Sequence, residues 1–180
     1  MSANSYSFTQ NHEFGEDARM LDLDQRAVFD KMVKYAKMFR TPGLHPSQIM
    51  LKVNGKSGTG KTHLMNTIAK ACEYWLRYQN AAMSDLNKPV VLKLGQAQES
   101  LASAFHILNE DNQVPLPNLE LERMRNYYSD LTNLLIDDFS IGDKKWLHHL
   151  DERLKDIKKN QEYFGGISII IFGDFGSPVA

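Results

Sequence analysis

Apolar positions recur along this chain with two periods, one suited to helices and one to strands. From Leu23 onward, Val28, Met32, Tyr35 and Phe39 recur at helical spacing, with Asp22 or Asp24 placed to open a helix. TPGLHPS (41–47) breaks that helix, and IMLKVN (49–54) predicts a short strand. Leu64, Met65, Ile68, Cys72, Trp75 and Leu76 then return at spacings of three and four, which predicts a helix over 62–79 with one buried face. PVVLKLG (89–95) predicts a second strand, Ala97–Leu108 a weaker helix, and NEDNQVPLPN (109–118) a loop. A helix around Leu119–Leu131 leads to NLLIDD (133–138), a strand ending in acids, and then to a helix over Trp146–Ile157. ISIIIFGD (167–174) is a near-continuous apolar run, the kind of strand buried on both faces of a parallel sheet. Strands alternating with helices predict an α/β domain whose mainly parallel sheet is flanked by helices. Residues 1–20 are polar and aperiodic and predict a tail, which leaves 21–180 as the domain.

Composition adds limits more than direction. A chain of 180 residues, 42% hydrophobic and 24% charged, has the length and balance of one globular domain with a sizeable core. A net charge of −1 gives no global signal for a polyanion partner and leaves only a local basic face open. Cys72 is the single cysteine, so an internal disulfide framework is excluded and an intracellular location is expected. Its place among the apolar helix positions predicts a core thiol. The first residues carry acids and no apolar h-region, unlike a secretory signal. No apolar run approaches the roughly 18–20 residues of a membrane span.

The chemistry concentrates in three stretches. VNGKSGTGKTHL (53–64) fits G-x-x-x-x-G-K-[ST], with Gly55, Gly60, Lys61 and Thr62 in the fixed places, after a strand and before a helix. Glycines let Gly55, Lys56, Ser57, Gly58, Thr59 and Gly60 wrap a phosphate with backbone N–H groups, helped by the helix N-terminus. Lys61 would reach the β- and γ-phosphates of a nucleotide, and the Thr62 hydroxyl would hold Mg²⁺. In LLIDDFS (134–140) an apolar strand delivers Asp137 beside that loop as a ligand for the Mg²⁺ water shell. Asp138, next to it, is placed to orient or deprotonate an attacking water. FGDF (172–175) ends the last strand at the edge where ligands meet open α/β sheets, which brings in Asp174. His148 and His149 lack metal-ligand spacing, and the mixed charges of 151–159 predict a solvated helix face.

LDLDQRAVFD (21–30), GKSGTGKT (55–62), LLIDDFS (134–140) and FGGISIIIFGDF (164–175) together resemble the first motor domain of Pif-type superfamily-one DNA helicases. The resemblance implies a RecA-like fold of the P-loop NTPase class. It also implies ATP hydrolysis coupled to 5′–3′ DNA unwinding, ATP and Mg²⁺ as cofactors, and single-stranded DNA as partner. A role in DNA repair, recombination or telomere maintenance, in the nucleus or another DNA-containing compartment, goes with it. By position it makes Gln25 the adenine-reading glutamine, Lys61 and Thr62 the phosphate and magnesium residues, Asp137 the metal-linked aspartate and Asp174 the aspartate of the third motif. Asp138 stands where the family has glutamate, and Ser177 where it has a glutamine that senses the γ-phosphate. LKLGQAQESLASAFHIL (92–108) replaces the family's Ala-Pro-Thr-Gly and Thr-Ile-His-Ser runs, with Ala102 at the histidine position. The second RecA-like domain of such motors is not among these residues, so the expectation is a fragment or a single-domain relative.

Two other readings remain open on the sequence. GKTHLMNTIAKA and LLIDDFS are similar to the phosphate-loop helix and Asp-Asp motif of AAA+ initiator and helicase-loader ATPases, in which Asp138 would be the ordinary residue. Alternatively, the shorter acid and the missing glutamine fit a catalytically weakened ATP-binding module.

Overall fold

The computed structural model describes residues 14–39, 41, 43–44, 46–79, 87–95, 97–107, 115–139 and 144–176. Residues 1–13 of the expected tail, residues 109–114 of the expected loop and Ser177 lie outside this set. The chain divides into two compact units, one made of Met1–Pro46 and Thr62–Met83, the other of Ser47–Lys61 and Ser84–Ala180.

The first unit is helical. It contains α1 (Gly15–Arg19), α2 (Leu23–Met38) and, from Thr62 on, α3 (Lys61–Gln79). Of the two candidate caps for α2, Asp22 is the one used. Its carboxylate accepts the Gln25 N–H at 2.9 Å, and the Gln25 carboxamide oxygen accepts the Asp22 N–H at 3.2 Å, a reciprocal capping box. The buried face of α2 is Phe29, Met32, Val33, Tyr35 and Ala36, whereas Leu23 is 90% exposed. At about 100° per residue Leu23 lies about 120° around the helix from Phe29, outside that face. On α3 all six apolar positions singled out by spacing are buried.

Residues 14–20, expected to belong to the tail, are part of this unit. Phe14 is 2% exposed, with its ring 6.2 Å from Phe29 and 5.9 Å from Tyr74. One aromatic residue in a polar stretch gave no periodic signal, yet its burial holds α1 in place. Lys70 donates to the Asp17 carboxylate at 2.6 Å, which keeps that carboxyl below its ordinary range.

The second unit holds a four-stranded parallel sheet in the order β1-β4-β3-β2. Its strands are β1 (Met50–Asn54), β2 (Val91–Leu94), β3 (Asn133–Ile136) and β4 (Ser168–Gly173). The central pair, β3 and β4, is buried almost throughout, as the continuous apolar runs required. Leu94, Leu134, Ile136 and Ile169 share a core with α4 (Ala97–Phe105), α5 (Asn118–Tyr127) and α6 (Lys144–Lys158) through Leu101, Phe105, Met124, Leu150 and Leu154. Alternation turns Leu135, Ile170 and Phe172 to the opposite face, where they are also fully buried. Before β4, a 3₁₀ turn at Tyr163–Gly166 brings the chain so close to α6 that a Cβ on Gly165 would lie 2.5 Å from the Leu154 carbonyl oxygen. Among the described residues no helix is long and apolar enough to cross a membrane.

Cys72 is fully buried, and desolvation pushes its thiol up to about 12. The native protein at pH 8 should therefore resist a thiol-selective disulfide reagent and react with one equivalent only after denaturation. Rapid native labelling would contradict the packing described for this unit.

Candidate functional site

β1 ends at Asn54, and the loop from Gly55 to Gly60 leads into α3 at Lys61. The Lys61 ammonium donates to the carbonyls of Gly55 (2.6 Å) and Lys56 (2.8 Å), so its charge is held over the loop. Thr59 closes a turn on the same Lys56 carbonyl, its hydroxyl donating at 2.8 Å and its N–H at 3.3 Å. Gly58 and Gly60 have φ of +80° and +77°, which side chains rarely adopt. A Cβ on Gly55 would lie 2.6 Å from the Thr59 hydroxyl oxygen, so a side chain there would force the Thr59 hydroxyl off the Lys56 carbonyl. Backbone wound this way, with a lysine over it, is a cradle for an anion. Lys56, Ser57, Gly58, Thr59 and Gly60 are all exposed at its rim.

β4 brings the GDF turn to this loop. The Gly55 N–H donates to the Gly173 carbonyl at 3.1 Å, and Asn54 pairs with Gly173 in the β1–β4 register. The Asn54 carboxamide reaches past Asp174, accepting the Phe175 N–H at 2.9 Å and donating to the Gly176 carbonyl at 3.4 Å. Asp174 is exposed, and its carboxylate accepts the Gly176 N–H at 3.1 Å, closing a tight turn.

β3 supplies the second acidic edge. The Asp137 N–H donates to the Leu94 carbonyl at 2.7 Å, which extends the β2–β3 ladder by one residue. The Asp137 residue is 5% exposed, and its carboxylate accepts the Asp138 N–H at 3.0 Å. Asp138 is exposed and has φ +53°, a left-handed conformation that aspartate tolerates better than most residues because its short polar side chain bonds locally. The Phe139 N–H then donates to the Phe172 carbonyl at 3.0 Å, tying the end of β3 to the end of β4.

Gly55, Lys56, Thr59, Lys61, Asp137, Asp138 and Asp174 thus all belong to the sheet unit, on segments linked by backbone hydrogen bonds at the strands' carboxyl ends. Gln25 and Thr62 belong to the helical unit, Gln25 in the α2 capping box and Thr62 exposed in the first turn of α3. Carboxylate oxygens suit a hard cation such as Mg²⁺. Among the described residues no group of three or more His, Cys, Asp and Glu side chains forms a cage that could hold a metal alone. A site for Mg²⁺ bound through phosphates, waters and one or two carboxylates needs no such cage. Asn54 and Phe139 were missed on the sequence. The signal for Asn54 was a polar residue ending a strand directly before the first loop glycine.

A model of the PIF1-like helicase family matches residues 20–179. The chain is 22% identical over 169 residues to the ATP-dependent DNA helicase RRM3 of Saccharomyces cerevisiae, a match that covers 93% of the chain and 22% of that protein. The Pif1 helicase of Candida albicans superposes with a TM-score of 0.58 at 20% identity, over 87% of this chain and 33% of that one. Unliganded Pif1 from Bacteroides sp. superposes with a TM-score of 0.52 at 18% identity, over 86% and 32%. These likenesses establish the RecA-like fold. The chain spans about a fifth of the curated relative it matches and about a third of these solved helicases.

Gly173 sits where a Cβ would collide with the Phe139 carbonyl, whereas a Cβ on Gly95 meets nothing within 4 Å. Gly173→Ala should lose about 2 kcal/mol or more in chemical denaturation through overpacking against rigid backbone, while Gly95→Ala should change by about 0.5 kcal/mol at most. Equal effects at the two positions would contradict the close approach of β3's end to β4.

Proposed function

The chain belongs to the PIF1-like helicase family, and on that footing we propose that it is the ATP-binding motor domain of an ATP-dependent DNA helicase. One observation carries the reading: a lysine-capped glycine loop hydrogen-bonded to the strand that leads into Asp174, in a sheet whose neighbouring strand leads into Asp137 and Asp138. In this proposal the loop N–H groups and Lys61 bind the nucleotide phosphates, and Lys61 moves from its two loop carbonyls to the more strongly charged γ-phosphate. Thr62 and Asp137 would hold Mg²⁺, which would offset the negative charge of the phosphates. Asp138 orients and deprotonates the attacking water, Gln25 reads adenine, and Asp174 belongs to the ATP site because its strand, β4, lies between the strand of the phosphate loop and the strand of Asp137.

The curated relative is by name an ATP-dependent DNA helicase, and one Bacteroides Pif1 structure that superposes with a TM-score of 0.50 is a complex with ADP-AlF3 and ssDNA. Adenine nucleotide and single-stranded DNA are accordingly the ligands proposed for this chain, with unwinding 5′–3′ and a role in genome maintenance. The AAA+ loader reading gives way, because the family match over residues 20–179 goes to PIF1-like helicases. The weakened-module reading keeps one specific support, the shorter acid at Asp138. Its left-handed backbone sets the carboxylate's origin differently from a regular strand end.

Calorimetric titration with Mg·ATP tests the proposal. Wild type should bind, and Lys61→Ala should bind about a hundredfold more weakly or worse, as expected for loss of a charge-assisted phosphate contact. Equal affinities would overturn the phosphate-loop assignment. ATP turnover that rises with single-stranded DNA supports the motor, and binding without turnover supports the weakened module.

A further inference from the structure

The sheet unit contains a contact set that the proposed chemistry does not yet use. On β1, Lys52 and Asn54 lie two residues apart and therefore share a face. Both reach the segment after β4. The Lys52 ammonium lies 3.9 Å from the centroid of the Phe175 ring, and the Phe139 ring centroid lies 6.3 Å from it. Asn54 holds the Phe175 N–H at 2.9 Å and the Gly176 carbonyl at 3.4 Å. Between β4 and these anchors stands one residue, Asp174, whose carboxylate is itself turned back onto the Gly176 N–H at 3.1 Å.

The backbone of Asp174 is therefore held between the end of β4 and the Asn54 pair. Asn54 is also the residue covalently preceding Gly55, whose N–H is bonded to the Gly173 carbonyl. The loop's first glycine and the Asp174 turn are thus joined through Asn54 and Gly173. A side-chain amide suits this task because one group both donates and accepts, fixing a backbone N–H and a backbone carbonyl together. Lysine over the aromatic face adds a contact that keeps Phe175 docked.

We propose that Asn54 is a positioning residue that fixes the Asp174 turn against the phosphate loop, so that the site distinguishes nucleotide triphosphate from diphosphate. This rests on the ATP-site reading above. Asn54 touches neither phosphate nor metal in this account; it acts through Asp174. Its loss should leave the contacts to the α- and β-phosphates in place and weaken only the contribution made on the γ side.

The test compares binding of Mg·ATPγS and Mg·ADP to the full chain by titration, with thermal melting as the control for folding. Wild type should prefer ATPγS. In Asn54→Ala the ATPγS-to-ADP affinity ratio should fall about tenfold, the size expected when a well-made hydrogen bond no longer fixes the group it holds, with ADP affinity unchanged. Asn54→Gln keeps the amide but displaces it by one methylene; it should give a smaller fall in the ratio and serves as the test if the alanine variant does not fold. Equal losses for both nucleotides, or an unchanged ratio in a folded variant, would overturn the positioning role while leaving the site assignment intact. Failure of wild type to bind either nucleotide would overturn the ATP-site reading itself, and this inference with it.

Discussion

The parallel pairing of β1 with β4 is the constraint on which the rest of the site depends. In that register Asn54 stands opposite Gly173, so the glycine loop leaves one strand at the level where the GDF turn leaves its neighbour. A slip by one residue would exchange the faces of Ile169 and Ile170, although each is buried among different neighbours, Ile169 in the core that includes Leu150 and Leu154 and Ile170 on the opposite face. Hydrophobic burial in the sheet therefore fixes, at a distance, where a polar loop and an acidic turn meet. The hydrogen bond from Gly55 to Gly173 continues the ladder past the last strand residue and carries that register into the loop.

The same logic places the acids of β3. Its four strand residues are fully buried, so Asp137 is the first residue at which the chain can return a charge toward solvent, and it is still 5% exposed. Keeping a carboxylate so close to the core needs a donor, and the Asp138 N–H provides one. That bond is made with Asp138 in a left-handed conformation. Phe139 then returns to β4 through the Phe172 carbonyl, and Gly173 leaves room for it. Two acids, a phenylalanine and a glycine thus form a single closed corner.

Much of this was legible in the residues, for reasons that differ by element. The α3 face was readable because six apolar residues repeat with the helical period. The buried strands β3 and β4 were readable because they are apolar runs too short for anything else in their context. On α2 the helix was found and Met32 and Tyr35 were placed on its buried face, but its first turn was misplaced. Leu23 was counted with the apolar face, whereas the capping box at Asp22 starts the helix so that Phe29 and Val33 point inward. Phe14 was missed because the aromatic residues of 1–20 follow no period, whereas in the structure Phe14 packs against the rings of Phe29 and Tyr74. At the site, glycine spacing announced the loop, and apolar strands announced the acids that end them. Asn54 stayed hidden because its partners, Phe175 and Gly176, are more than a hundred residues away and are met through backbone groups that no side-chain pattern records.

Residue-resolved NMR during a titration with Mg·ATPγS tests most directly whether the ends of β1, β3 and β4 make one nucleotide site. The account predicts the largest amide shifts in three separate stretches at once: 55–62, 137–139 and 173–176. Shifts confined to the glycine loop, or centred on segments remote from the carboxyl ends of these strands, would contradict it.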